Sequence, residues 1–170
     1  HAGGECAIYA YEEKSPLYVF STNGIKMKDA DLTNMKSLVL VNLTNSGLTD
    51  VKLPDSDDLA ELILDKNNLT DIDLSRYASQ LRMLSLNNNQ LTSFDASNMQ
   101  NLLSLAIANN QLTSLKLANP DMYNLEASGN QLTDIDLSKN KGLSQLFLSN
   151  NQLEHIDIKP LRTIVALHND

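Results

Sequence analysis

A motif of leucines and one asparagine returns about every 21 residues along nearly the whole chain, and no other feature narrows the fold as far. From Leu81 the sequence reads LRMLSLNNNQLTSFDAS, with leucines at Leu81, Leu84, Leu86 and Leu91 and with Asn89 two positions before the last. The next unit, LLSLAIANNQLTSLKLA, puts Leu102, Leu105, Ile107, Asn110 and Leu112 in the same places. Units start at residues 17, 38, 59, 81, 102, 122, 143 and 161, in steps of 21, 21, 22, 21, 20, 21 and 18. The first is a faint copy, in which Phe20, Thr22, Ile25 and Met27 hold the key positions, and the last is partial. Leucine and asparagine supply 31 and 20 of the 170 residues, so the repeat dominates the composition.

Each unit has two apolar segments. The first, L-x-x-L-x-L, alternates with period two, which places its leucines on one face of a short strand. The second, typified by L-T-x-I-D-L, alternates again and stops at Ser, Asn or Pro. No unit holds the ten or more residues of 3.6-residue periodicity that a helical return would need, so short strands, turns or 3₁₀ pieces are expected there. A unit this short cannot bury its own leucines, whereas parallel copies stacked about 4.8 Å apart share one elongated core. The expected fold belongs by convention to the α/β superclass but is essentially β and irregular. It is a solenoid with a curved parallel sheet of seven or eight short strands and little or no α-helix.

Between the two segments the chain turns inward, and its peptide groups would be buried without strand partners. Asn67, Asn89, Asn110, Asn130 and Asn151 stand at that step. A short amide side chain has both a donor and an acceptor, so it can bond the backbone of its own turn and of the next unit. These residues are therefore assigned to a structural ladder. Ser46 can imitate the amide in part, and Ile25 cannot.

The units resemble the leucine-rich repeat, whose motif LxxLxLxxNxL is matched from about residue 38 onward, with a degraded copy from residue 17. The 21-residue form with the tail NQLTDIDLSKN, residues 130–140, resembles repeats of bacterial cell-surface proteins of the internalin type. That resemblance implies a concave sheet that holds another protein, and a chain that is secreted or displayed on the cell surface.

Residues 1–16, HAGGECAIYAYEEKSP, differ in composition from the repeats of residues 17–170 and are assigned to an N-terminal cap. There Cys6, Ile8, Tyr9 and Tyr11 are expected to lay an irregular strand across the first unit. Cys6 has no CxxC partner and reads as a small buried hydrophobe or a free thiol. At the other end LRTIVALHND stops without a polar cap, which predicts a truncated repeat domain or an edge covered by a second copy, as in a homodimer.

The 21 acidic and 13 basic residues give a net charge of -8, which argues against general nucleic-acid binding and against attraction to an anionic membrane. No apolar run reaches the length of a membrane span. The three histidines, His1, His155 and His168, are scattered, and no nucleophile, phosphate-loop or metal-ligand motif stands out. The paired carboxylates Asp71/Asp73 and Asp134/Asp136 bracket a buried isoleucine. Neighbouring units replace them with Ser93/Asp95 and Ser114/Lys116, so they do not form a calcium ladder. No cofactor and no enzymatic activity are expected. The sequons at Asn42–Thr44 and Asn68–Thr70 would matter only in a eukaryotic secreted chain.

Removing the inward leucines leaves three outward rows. The central row runs Ser21, Asn42, Ile63, Ser85, Ala106, Glu126, Phe147, Val165. The row before it contains Leu40, Glu61 and Met83, and the row after it Thr44, Asp65, Ser128 and Leu167. Candidate partner contacts are the apolar diagonal Leu40, Ile63 and Met83 with Glu61 and Asp65 beside it, then Glu126, then Phe147 with Val165 and Leu167. A low aromatic content speaks against a base-stacking surface. Two readings of function follow. One is a non-enzymatic module offering a rigid concave sheet to a protein ligand. The other is a spacer or self-assembling segment of a larger extracellular repeat protein.

Overall fold

The computed structural model describes residues 5–9, 16–161 and 166–168. Twelve short strands run through them in parallel. β1 spans Glu5–Tyr9, β2 Val19–Asn23, β3 Lys26–Asp31, β4 Leu40–Thr44, β5 Glu61–Ile63 and β6 Met83–Ser85. They are followed by β7 Ser93–Asp95, β8 Ser104–Ala106, β9 Ser114–Lys116, β10 Asn124–Glu126, β11 Gln145–Phe147 and β12 Ala166–His168. Among the described residues there is no α-helix, only a 3₁₀ turn at Ser75–Tyr77.

One strand per unit enters an eight-stranded sheet in the order β12-β11-β10-β8-β6-β5-β4-β2. Its register follows the sequence alignment of the units: Val41 lies opposite Leu62, Leu62 opposite Leu84, Leu84 opposite Leu105, and Leu105 opposite Leu125. The first leucine position of each L-x-L is fully buried, from Val41 through Leu146, while the residues on either side of it are mostly half-buried. Behind the sheet stand further columns, among them Leu38, Leu59, Leu81, Leu102, Met122 and Leu143, all without exposed surface. Each such leucine contributes on the order of 2 kcal/mol by burial. The partners are always in the adjoining units, so no unit is stable alone.

The return side forms strands only in places. β1 pairs in parallel with β3, with the register shifting between Cys6 and Ile8, and Asp31 bridges onward to Lys52. The strand expected across the first unit is thus β1, laid on that unit's return segment; Tyr11 lies outside the described residues. Farther along, β7 pairs with β9 as an isolated two-stranded sheet. The unit starting at Leu59 is one residue longer than its neighbours, and its return accommodates the extra residue as the 3₁₀ turn. There the Tyr77 hydroxyl donates to the Pro54 carbonyl at 2.6 Å, and Arg76 reaches Asp55 and Asp57, each at 2.9 Å.

The last strand differs from the spacing-based expectation. Leu146 pairs with Leu167 and Phe147 with His168, so the final unit is aligned from Ile164 and not from Leu161. A full 21-residue step from Leu143 gives this register, and the sheet enforces it because a shift of one residue would invert every side chain.

Candidate functional site

The outward positions of the sheet fall in the rows that the register dictates. One row runs Val19, Leu40, Glu61, Met83, Ser104, Asn124, Gln145, and the next Ser21, Asn42, Ile63, Ser85, Ala106, Glu126, Phe147. Leu40 and Met83 flank Glu61 in the first row, and Ile63 stands beside them in the second. All four are half-buried, which on a single-layer sheet means packed sideways against neighbouring outward side chains. Phe147 is half-buried as well, between Glu126 on β10 and the position of His168 on β12. Val165 lies outside the described residues. Leu167 occupies the register position of the inward leucine Leu146, not the outward row in which spacing had placed it, because the unit start is displaced by three residues.

Two of the acidic candidates hold their own sheet. Asp65 Oδ1 accepts from the Ser85 hydroxyl at 2.6 Å and from the Asn87 amide at 3.0 Å, and Asn87 in turn accepts from the Ala108 amide at 2.7 Å. This chain of bonds ties three units along one rim. Glu126 accepts from the Ser128 amide at 3.0 Å, and Asn42 from the Thr44 amide and hydroxyl at 3.1 and 2.6 Å. Glu61 carries no comparable bond in the rim network and lies between two apolar neighbours.

A further row escaped the sequence reading. The residue one position before each strand also bonds its neighbour: the Val39 amide to Tyr18, Ala60 to Val39, Arg82 to Ala60, Leu103 to Arg82, Tyr123 to Leu103 and Ser144 to Tyr123, at 2.8 to 3.0 Å. This lip exposes Tyr18 (57%), Val39 (38%) and Tyr123 (45%), together with Arg82. Both x positions of L-x-x-L face outward, and counting only the second one hides the aromatic content of the surface. With Tyr18, Val19 and Val39 added, the diagonal Leu40, Ile63 and Met83 becomes one apolar area over the first four strands of the sheet.

The turn that backs this surface is rigid. Asn67 Oδ1 accepts from the Ser46 and Leu48 amides, each at 3.0 Å, while its Nδ2 donates to the Leu43 and Leu64 carbonyls at 3.0 and 2.9 Å. Asn89, Asn110, Asn130 and Asn151 repeat the pattern, with Oδ1 bonding the preceding unit and Nδ2 bonding both units. The Ser46 hydroxyl donates only to the Leu43 and Thr44 carbonyls, within its own turn. The residue just before each ladder position has positive φ: Asn45, Lys66, Asn88, Asn109, Gly129 and Asn150 lie between 56° and 70°. A second, shorter ladder of fully buried Asn119 and Asn140 on the return side is invisible to the L-x-x-L-x-L alignment. Asn119 donates to Ala96 and Met99 at 2.9 and 2.8 Å, and Asn140 accepts from the Asn119 amide at 3.0 Å.

The recurrent Asp residues also have a local task. Asp31, Asp73, Asp95 and Asp136 each accept from the amide two residues on and interact with the hydroxyl of that Thr or Ser. Those hydroxyls, and then the amides, hold all four carboxyls below the ordinary 3.8. Among the described residues no group of three or more His, Cys, Asp or Glu side chains is placed to hold a metal ion, and no helix is long and apolar enough to cross a membrane. His155 is exposed, and Asp157 accepts from the Lys159 amide at 3.0 Å.

Fold and surface together define a parallel β-solenoid of short repeats with a shallow, preformed concave sheet. No family model matches the chain, and no curated protein does. Among solved structures it is similar to the functional domain of InlJ from Listeria monocytogenes, with a TM-score of 0.68 at 24% identity over 89% of this chain. The match spans 38% of the InlJ chain. An internalin, InlF, from the same species matches 88% of this chain and 66% of its own at 22% identity, with a TM-score of 0.46. The fold is thus a β-solenoid resembling that of the InlJ domain. The InlJ domain is described as including a cysteine ladder; with Cys6 its only cysteine, the present chain cannot build one.

Proposed function

We propose that the chain is a non-enzymatic protein-binding module, secreted or held on a bacterial cell surface, that presents the first four strands of its concave sheet to a protein ligand. The observation that carries this reading is the continuous apolar area of Tyr18, Val19, Val39, Leu40, Ile63 and Met83, with Glu61 set inside it. A contiguous apolar area with a polar surround marks an interaction site more than scattered exposed leucines do. The asparagine ladder behind it fixes the backbone beforehand, so binding carries little ordering cost. Similarity of fold to internalin-type proteins supports the same reading.

The test is capture of surface proteins by immobilised wild type and by an Ile63→Asp/Met83→Asp chain. Both positions point away from the core, so the circular dichroism and unfolding midpoint should be unchanged while specific capture falls at least about tenfold, the loss of two apolar contacts at a binding centre. Equal capture by both chains would move the ligand off this area.

A further inference from the structure

The return side parts between several adjoining units, and one of these places lies between the third and fourth units. The third and fourth units are joined by a backbone bond from the Gln90 amide to the Leu69 carbonyl at 2.8 Å. Beyond it, among the described residues, no backbone bond links 71–73 to 93–95. β7 pairs only with β9, so its edge toward the third unit is open. Between the two segments lies a groove of about 430 Å³. Its floor is apolar, with Ile72 half-buried and Phe94 and Met99 buried, and its rim carries the exposed carboxylates Asp71, Asp73 and Asp95.

Charge separates this groove from its neighbours. The groove on the other side of the third unit includes Arg76, and the one beyond β9 includes Lys116. None of the residues around the 430 Å³ groove is a cation. Arg76 is engaged by Asp55 and Asp57, and Lys116 stands on β9 opposite Asp95, on the side of β7 away from the groove. Three carboxylates around an apolar floor, beside an open strand edge, are complementary to a strand whose side chains alternate between apolar and cationic.

We propose that this groove is a second interaction surface, on the face opposite the concave sheet, which takes an extended lysine- or arginine-bearing segment of another protein along the open edge of β7. Backbone groups of the segment pair with Ser93–Asp95, its apolar side chains rest on Ile72 and Phe94, and its cations meet the three carboxylates. The proposal is independent of what the concave sheet binds.

The probe is a capped hexapeptide of alternating valine and lysine, with the valine–glutamate peptide as control, titrated into the whole isotope-labelled chain at physiological ionic strength. The lysine peptide should shift the amide resonances of Ser93, Phe94 and Asp95, and the glutamate peptide should not. An Asp71→Asn/Asp73→Asn/Asp95→Asn chain keeps the acceptor oxygens that Ser75 and Ser97 use, so it should fold. Its affinity should fall about tenfold, the sum expected of three exposed charge pairs. Absence of shifts at β7, or equal affinity in the triple variant, would overturn the proposal, and either result leaves the concave-sheet reading untouched.

Discussion

Asn110 illustrates how much one buried amide can do in a solenoid. Its oxygen accepts from Leu91 at 3.0 Å, and its nitrogen donates to Leu86 and Ile107 at 3.0 and 3.3 Å, so one side chain satisfies three backbone groups in two successive units. Asn110→Ala strands those groups, and Asn110→Asp keeps the acceptor but turns two carbonyls toward a carboxylate. Both should lower unfolding stability by about 3 kcal/mol in urea titrations, since each buried group left unpaired costs on the order of 1–3 kcal/mol. Lys66 offers the opposite case. It holds φ of 57° where most other units have Asn or Gly. A β-carbon there meets the following carbonyl, so Lys66→Gly should gain about 1 kcal/mol in the same assay. Thr22 stands where the other units have Leu, Ile or Ala and buries a hydroxyl without a partner, the local reason that the first unit is a faint copy.

At the scale of elements, several return segments end in Asp-x-Ser or Asp-x-Thr turns whose carboxyl groups are stronger acceptors when ionised. Asp31, Asp73, Asp95 and Asp136 have native values depressed by these bonds, so below about pH 4 the unfolded chain binds more protons than the folded one. Their contribution is complete above the unfolded value and is lost as pH falls through the folded value. The urea midpoint should therefore drop between neutral pH and about pH 3. A chain with all four changed to Asn, which keeps the acceptor oxygen without titrating, should show a flatter acid limb. If the limb is unchanged, other carboxylates carry it. The element pattern also shows what a repeat leaves open. The segment L-T-S-L-K-L yields a paired strand at β9, whereas L-T-D-I-D-L yields no strand at Asp134–Asp136.

For the whole molecule, the stacking of units sets both shape and self-association. Phe147, the outward aromatic of β11, is half-buried within the single chain. Light scattering across a wide concentration range should give a monomer, unaltered by Phe147→Asp. A dimer dissolved by that substitution would favour the alternative role, a spacer or self-assembling segment. The sequence by itself determined the architecture, because leucines at period two inside a 21-residue period admit only stacked parallel strands, and an asparagine at each turn is the residue that can bond two units at once. It determined equally which residues of β4 to β11 face outward, since the alternation of a strand admits no other assignment. Only the tertiary structure decided the rest: that the last unit is aligned from Ile164, that the lip of Tyr18, Val39 and Tyr123 joins the outward surface, that Asn119 and Asn140 make a second ladder, and that the units part beside β7. These depend on the lateral fit between units that are neighbours in space about 21 residues apart, and no periodicity along one strand encodes that fit.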